Sequence, residues 1–249
     1  MRKVNRNSVK SRPRNPIEIL INGVVYIMYQ SRFIIGRTAI LISDYMSAKM
    51  EGFPSISTAC TMNKFCLARL KRKIGICAKC FAYAKLKFKK NLAENLRKNY
   101  EVLTKEVLPD EALPTFCDDV DQCRIESFGD IENEEQAINY INIAIKNPRV
   151  WFGWWSKNEA IRSKAIAIKG KPENLICVYS SPMVNEEVTF EELDSKGWTY
   201  IDKIFTVFDK KYAKDHYIDI NCGARACKFG RGCGRCYKPG REYVRELLK

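Results

Sequence analysis

Four cysteines close to one end of the chain are spaced as metal ligands. They read Cys222-x4-Cys227-x5-Cys233-x2-Cys236 within NCGARACKFGRGCGRCY. Four thiolates in so short a segment can close a tetrahedral shell around zinc or ligate a four-iron cluster, and spacing alone does not separate the two. Gly223, Gly230, Gly232 and Gly234 permit the tight turns that bring sulfurs together, and Arg225, Lys228, Arg231 and Arg235 offset thiolate charge. The bland alternative is a loose segment with reactive thiols. A second group reads Cys60-x5-Cys66-x10-Cys77-x2-Cys80 and runs into Phe81. Only Cys77-Ala78-Lys79-Cys80 has tight ligand spacing, so Cys60, Cys66 or both must complete a site across an irregular loop. Otherwise those two are small buried residues. Cys117, Cys123 and Cys177 lie in or near apolar runs and read as core.

Eleven cysteines and one histidine in 249 residues narrow the chemistry. No apolar stretch resembling a signal peptide precedes the first strand, so a reducing, cytoplasmic setting is expected, where clustered thiols serve metals more often than disulfides. His216 alone would have to serve any His-dependent triad, and in KDHY it reads as a solvated residue ahead of a strand. No run of 18 apolar residues occurs, and no membrane contact is expected. The formal charge is +14, concentrated in residues 1–14 and 64–98, with Lys71, Arg72, Lys73, Lys85, Lys87, Lys89 and Lys90 prominent. Such blocks bind phosphate backbones through counterion release, or else form a solubilising face and a flexible tail. Nucleic acid held by the basic arm and the Lys-rich helix, with Tyr83 and Phe88 beside it, is the expected partner on that first reading.

The elements that must position these residues follow from pattern. Residues 1–15 read as a flexible basic arm, 16–45 as an extension, and 46–249 as one α/β metal-binding domain. IEILINGVVYIMY carries an Asn22-Gly23 hairpin signal, and 31–45 offers a further strand. Residues 46–80 read as loops with short helical turns. Leu86, Ala93, Leu96, Tyr100 and Leu103 predict one helix over 81–108, closed by Pro109. Strands are then expected at 122–129, 149–156, 174–181, 203–209 and 217–223, alternating with helices at 134–147, 158–168 and within 186–197. That alternation implies a parallel sheet with right-handed crossovers, an incomplete (β/α) barrel. Sites in such folds lie at strand C-terminal ends, here Glu126 to Asp130, Trp155 to Lys157, Tyr179 to Ser181, Asp209 and Asn221-Cys222. Each has an ordinary alternative: Asp130 as a helix cap, Glu126 as an ion-pair partner, Lys157 as a solvated lysine, and Trp151, Trp154 and Trp155 as core.

The order of the pieces resembles the gene-product-88-like family of bacteriophage and prophage proteins over residues 42–238. The resemblance is carried by SDYMSAKMEGFPSIST, CAKCFAYAK, NLAENLRKNYEVL, RIESFGDIENEEQAINYINIAIKNP, VWFGWWSKN, NLICVYSSP and INCGARACKFGRGCGRCY. It implies a phage-encoded protein of the host cytoplasm but names no reaction. The family is itself distantly similar to radical S-adenosylmethionine enzymes, whose three cysteines precede an aromatic residue and a partial barrel. That likeness implies an iron–sulfur cluster on Cys66, Cys77 and Cys80 beside Phe81, with one iron open to S-adenosylmethionine. Glu126, Asp130, Lys157 and Ser180 then face cofactor or substrate, and Cys222, Cys227, Cys233 and Cys236 hold an auxiliary cluster. The competing expectation is a zinc-stabilised nucleic-acid-binding protein without enzymatic activity.

Overall fold

A computed structural model describes residues 16–44, 50, 52, 54–73, 75–223, 227 and 233–248. The arm expected at 1–15 and most of the glycine- and arginine-rich loop at 224–232 lie outside those residues.

The first element is the hairpin read from sequence. Strands β1 (Ile17–Ile21) and β2 (Val24–Met28) pair antiparallel, from Ile17 opposite Met28 to Ile21 opposite Val24. Asn22 and Gly23 both take positive φ, 51° and 80°, as a two-residue turn matched to strand twist requires. Tyr26 and Met28 point into the core, and the Tyr26 hydroxyl donates to Glu106. The expected strand at 31–45 is reduced to β3 (Ile34–Ile35), which pairs with β5 (Thr115–Phe116).

The main sheet holds β4 (Ser55–Ile56), β6 (Gln122–Ile125), β7 (Trp151–Ser156), β8 (Leu175–Val184), β9 (Lys203–Phe208) and β10 (Glu242–Leu247). These six strands lie side by side in chain order, and every neighbouring pair is parallel. The sheet is open, with β10 and β4 as its edges. Helices α3 (Lys90–Lys105), α4 (Glu134–Lys146), α5 (Glu159–Lys169) and α6 (Phe190–Ser195) fill the crossovers.

Strand alternation sorts side chains between two faces. Cys123 and Ile125, Phe152 and Trp154, Leu175 and Cys177, and Ile204 pack with the helices in the main core. The opposite set includes Arg124, Trp155, Ser180, Phe205, Val207 and Val244, which face a cavity. On the helix side, Arg162 and Glu159 form a fully buried ion pair; Arg162 also donates to the Trp154 and Val178 carbonyls, and the Tyr200 hydroxyl donates to Glu159. A buried charge pair survives only when its remaining hydrogen-bonding positions are filled in this way.

Four expectations change. Residues 81–108 form two helices, α2 (Phe81–Phe88) and α3, broken at Lys89 (φ −105°, ψ 68°). The break lets α2 bury Ala82 and Leu86 beside Cys60 and Phe128 while α3 sends Leu103 into the main core. Residues 64–72, expected as loop, form α1 (Lys64–Arg72), capped by the Asn63 side chain accepting from the Cys66 N–H. Residues 217–223 are not a strand. They follow α7 (Lys210–Asp215), and the last strand is β10, twenty residues on, where partners on β9 supply the ladder. The C-terminal cysteines therefore lie in the crossover before the last strand rather than after it. No helix among the described residues is long and apolar enough to cross a membrane.

Candidate functional site

A cavity of about 560 Å³ opens on the face of the sheet away from α3–α6 and reaches the C-terminal ends of the strands. One wall is α1, the 3-10 turn Gly75–Lys79 and α2, which bring Cys66, Cys77 and Cys80 to the cavity; Cys60 joins them from the loop after β4. Another wall is the crossover before β10, which brings Cys222, Cys227, Cys233 and Cys236. The two sequence groups, more than a hundred residues apart, thus line one space, and all eight thiols are free. Glycines permit these walls to close. A Cβ on Gly75 would lie 2.0 Å from the Pro182 carbonyl oxygen, so the turn can lie against β8 only with glycine there. A Cβ on Gly153 would lie 2.7 Å from Trp155 and 2.8 Å from Tyr237, where the C-terminal crossover packs onto β7.

Within the first group, Cys60, Cys66 and Cys80 interact electrostatically. The Cys60 thiol donates a hydrogen bond to the Cys80 sulfur, and that contact holds Cys80 below the ordinary thiol range. The N–H groups of Tyr83 and Ala82, at the start of α2, and the charge of Lys157 act in the same direction. The reciprocal contact, followed by burial, raises Cys60. Burial raises Cys66, with the Asp130 and Glu126 carboxylates adding to it. Cys60, expected from sequence to complete a site with Cys77 and Cys80 together with Cys66 or in its place, thus stands with Cys66 and Cys80. Cys77 lines the same cavity from the 3-10 turn. In the second group burial raises Cys236, and Cys222, Cys227 and Cys233 all contribute, while Arg124 opposes. Among the described residues, no set of three or more His, Cys, Asp or Glu side chains is gathered tightly enough to hold a metal ion. The thiols surround the cavity without converging on one point.

The strand-end residues expected from sequence also line it: Glu126, Asp130, Lys157 and Ser180, together with Phe81. Glu126 sits immediately after β6 with φ +57°, a conformation L-residues rarely adopt, and is buried. Its Oε1 accepts from the Thr58 hydroxyl (2.8 Å), the Gln136 amide (2.8 Å) and the Tyr140 hydroxyl, and its Oε2 from the Thr58 N–H (3.2 Å). Oε2 thus has one protein donor where Oε1 has three. Burial pushes the Glu126 carboxyl up to about 7 against the opposing hydrogen bonds. Asp130 accepts from the Ser156 hydroxyl (2.6 Å), the Ile131 N–H (2.8 Å) and the Lys157 N–H (3.0 Å). It ties the end of β6 to the end of β7. Helix α4 is capped by Asn133 instead, so Asp130 is not the cap the sequence allowed.

Two cavity residues, Arg124 and Tyr237, went unrecognised in the sequence. Arg124 lies over Trp155, its guanidinium carbon 3.7 Å from the ring centroid, with its Nε buried and without a hydrogen-bond partner among the described residues. Tyr237 covers Trp155 from the crossover. The signal for Arg124 was present, since Gln122, Arg124 and Glu126 alternate with Cys123 and Ile125. Trp155, read both as a strand-end position and as core, is both: Trp154 packs in the helix-side core, and Trp155 in a second buried cluster with Tyr237 on the cavity face. His216 closes α7 and stacks on Tyr212, away from the thiols. Comparison of the chain with protein-family models, curated proteins and solved structures returns no match.

Proposed function

We propose that this chain is an iron–sulfur protein of the gene-product-88-like phage group, acting as a radical S-adenosylmethionine-like enzyme on an undetermined substrate. One observation carries the reading: eight free thiols from two distant segments line one cavity at the C-terminal ends of a parallel, chain-ordered sheet. Thiol donors in sets of three and four suit iron–sulfur clusters, and a three-thiolate set leaves one iron open. Cys66 and Cys80, with Cys60 or Cys77, would hold that cluster; Cys222, Cys227, Cys233 and Cys236 would hold the other. Because the thiols stand apart, metal would complete the folding of both loops, as it does where no preformed site exists. When bound, the open-iron cluster would supply one-electron reduction of S-adenosylmethionine.

The protein groups have separate tasks on this reading. Lys157 offsets thiolate charge near Cys66 and Cys80. Asp130 holds the β6 and β7 ends in register, and Glu126 offers Oε2 as an acceptor for an ammonium or hydroxyl group. Ser180 adds a hydroxyl from β8. The walls of α1, α2 and the described part of the C-terminal crossover flank the space between.

The test is elemental analysis and visible spectroscopy of protein purified without air, followed by reduction with dithionite in the presence of S-adenosylmethionine. Iron and sulfide at about four each per cluster, a brown chromophore and release of 5′-deoxyadenosine are expected. Zinc at one or two equivalents in a colourless protein sinks the proposal and leaves a zinc-stabilised protein. Iron without S-adenosylmethionine cleavage removes the enzyme and keeps the cluster.

A further inference from the structure

Residues 52–93 contain no Asp or Glu, yet carry ten Lys and Arg. They build α1, the 3-10 turn and α2, the first cavity wall. Of these bases, Lys64, Lys71, Arg72, Lys73, Lys79, Lys87, Lys89 and Lys90 are exposed, and none forms an ion pair among the described residues. Elsewhere exposed bases are in part matched, Arg149 with Asp118, Lys164 with Glu134, Lys211 with Asp215 and Arg241 with Asp194, while Lys105, Lys169, Lys196, Lys210 and Lys214 carry no ion pair among the described residues. The cavity wall differs in holding its unmatched bases in one segment that has no acid at all.

The same wall exposes aromatic rings. Phe81 is 67% and Phe88 83% exposed, although the apolar Ala82 and Leu86 of their helix are buried. The seven-residue interval puts the two rings on one face of α2, about 10 Å apart along its axis. Phe81 also lines the cavity, and Lys87 lies over the Tyr83 ring. Free aromatic faces interleaved with unpaired cations form the surface that tracks single-stranded nucleic acid, rings taking bases and bases taking phosphates. A duplex would leave the rings without unstacked bases. A membrane surface would need a continuous apolar face, and on α2 that face is turned inward.

We propose that the α1–α2 wall binds a single strand of nucleic acid and leads one of its nucleotides into the cavity, so that nucleic acid is the substrate class. A cavity of about 560 Å³ has the size of a small-molecule site, suited to one extruded nucleotide. The substrate assignment rests on the proposed chemistry of the cavity, but the binding surface does not.

The experiment measures anisotropy of labelled oligothymidine and oligouridine strands of about 20 nucleotides, over about 50–300 mM salt, with the full-length protein as isolated. Parent protein is expected to bind with a steep salt dependence. The variant Lys87→Gln/Lys89→Gln/Lys90→Gln should lower the slope of log K against log salt by about two units, three contacts at about 0.7 each. Phe88→Ala should weaken binding roughly tenfold with the slope unchanged. Both variants alter exposed side chains, and circular dichroism melts should match the parent. Comparing the two strands assigns DNA or RNA. An unchanged triple variant, a preference for duplex, or binding only to anionic phospholipid vesicles overturns the proposal. Iron content of the same preparation separates the two readings: iron without strand binding sinks the surface alone, and strand binding without iron sinks the cluster alone.

Discussion

Glu126 concentrates the tension of the site in one residue. It is fully buried, its backbone is left-handed, and four protein donors converge on its carboxylate. Those donors favour the charged form, yet burial outweighs them, and the carboxyl is raised from 4.5 to about 7. A carboxyl raised in the folded state takes up a proton on folding between those two values. Its contribution to stability is therefore full below pH 4.5 and is lost as pH rises through 7, at up to about 1.4 kcal/mol per pH unit. Urea denaturation of the parent and of Glu126→Gln across that range should show the difference between them falling as pH rises; parallel curves would falsify the shift. Gly129 tests the same cluster sterically. A Cβ there would lie 2.5 Å from the Thr58 hydroxyl and 2.7 Å from Glu126 Oε2. Gly129→Ala should cost about 1–3 kcal/mol in the same assay, and a neutral result would show that the cluster yields.

At the scale of elements, buried asparagines join helices to strands. Asn174, just before β8, donates to the carbonyls of Ala144, Asn147 and Val150, holding the end of α4 against the start of β7. Asn174→Ala leaves buried carbonyls short of donors and should cost about 2–4 kcal/mol, read as a lower urea midpoint at unchanged slope. A change in slope instead would mean that the α4–β7 corner unfolds separately. This corner also marks what sequence could reveal. From 122 to 208 each strand has an apolar alternation of its own and each helix a cap or an amphipathic face, so the order of elements was legible. Strand β10 was not: Glu242, Tyr243, Arg245 and Glu246 are only half-buried, and its place is set by pairing with β9. Strand β4 is two residues long and owes its existence to β6. In α1, KFCLARLKR turns Phe65, Cys66, Arg69 and Leu70 to the cavity but buries no residue fully, so two turns with a cysteine and an arginine in the stripe were a weak helical signal. The site shows the same division. Cysteine spacing marked both thiol groups, but no local signal says that they share a cavity, because the crossover before β10 joins them only through tertiary packing. Arg124 and Trp155 faced the cavity by strand parity, which becomes decisive only once the helix-covered face is known.

At the scale of the whole molecule, the thiols fall into populations with different access. Cys123 and Cys177 are sealed between sheet and helices, at 0% exposure. Cys117 is half-buried by β5, outside the cavity. The remaining eight line the cavity, and metal would occupy seven of them, three in the open-iron cluster and four in the other. Thiol titration under anaerobic conditions should therefore proceed in three stages. In the metal-loaded protein, reagent reaches Cys117 first. Chelation should then expose the seven ligand thiols, led by Cys233, the exposed member of the set. Cys123 and Cys177 should react only with denaturant, which brings the total to eleven. The stages read the fold and the metal independently, because helix-side packing protects two thiols whether or not metal is present. Equal reactivity of the seven before and after chelation would mean that no metal holds them. Early reaction of Cys123 or Cys177 would mean that the loops on the cavity face and the core beneath them open together, as expected if metal binding completes the fold of the whole sheet.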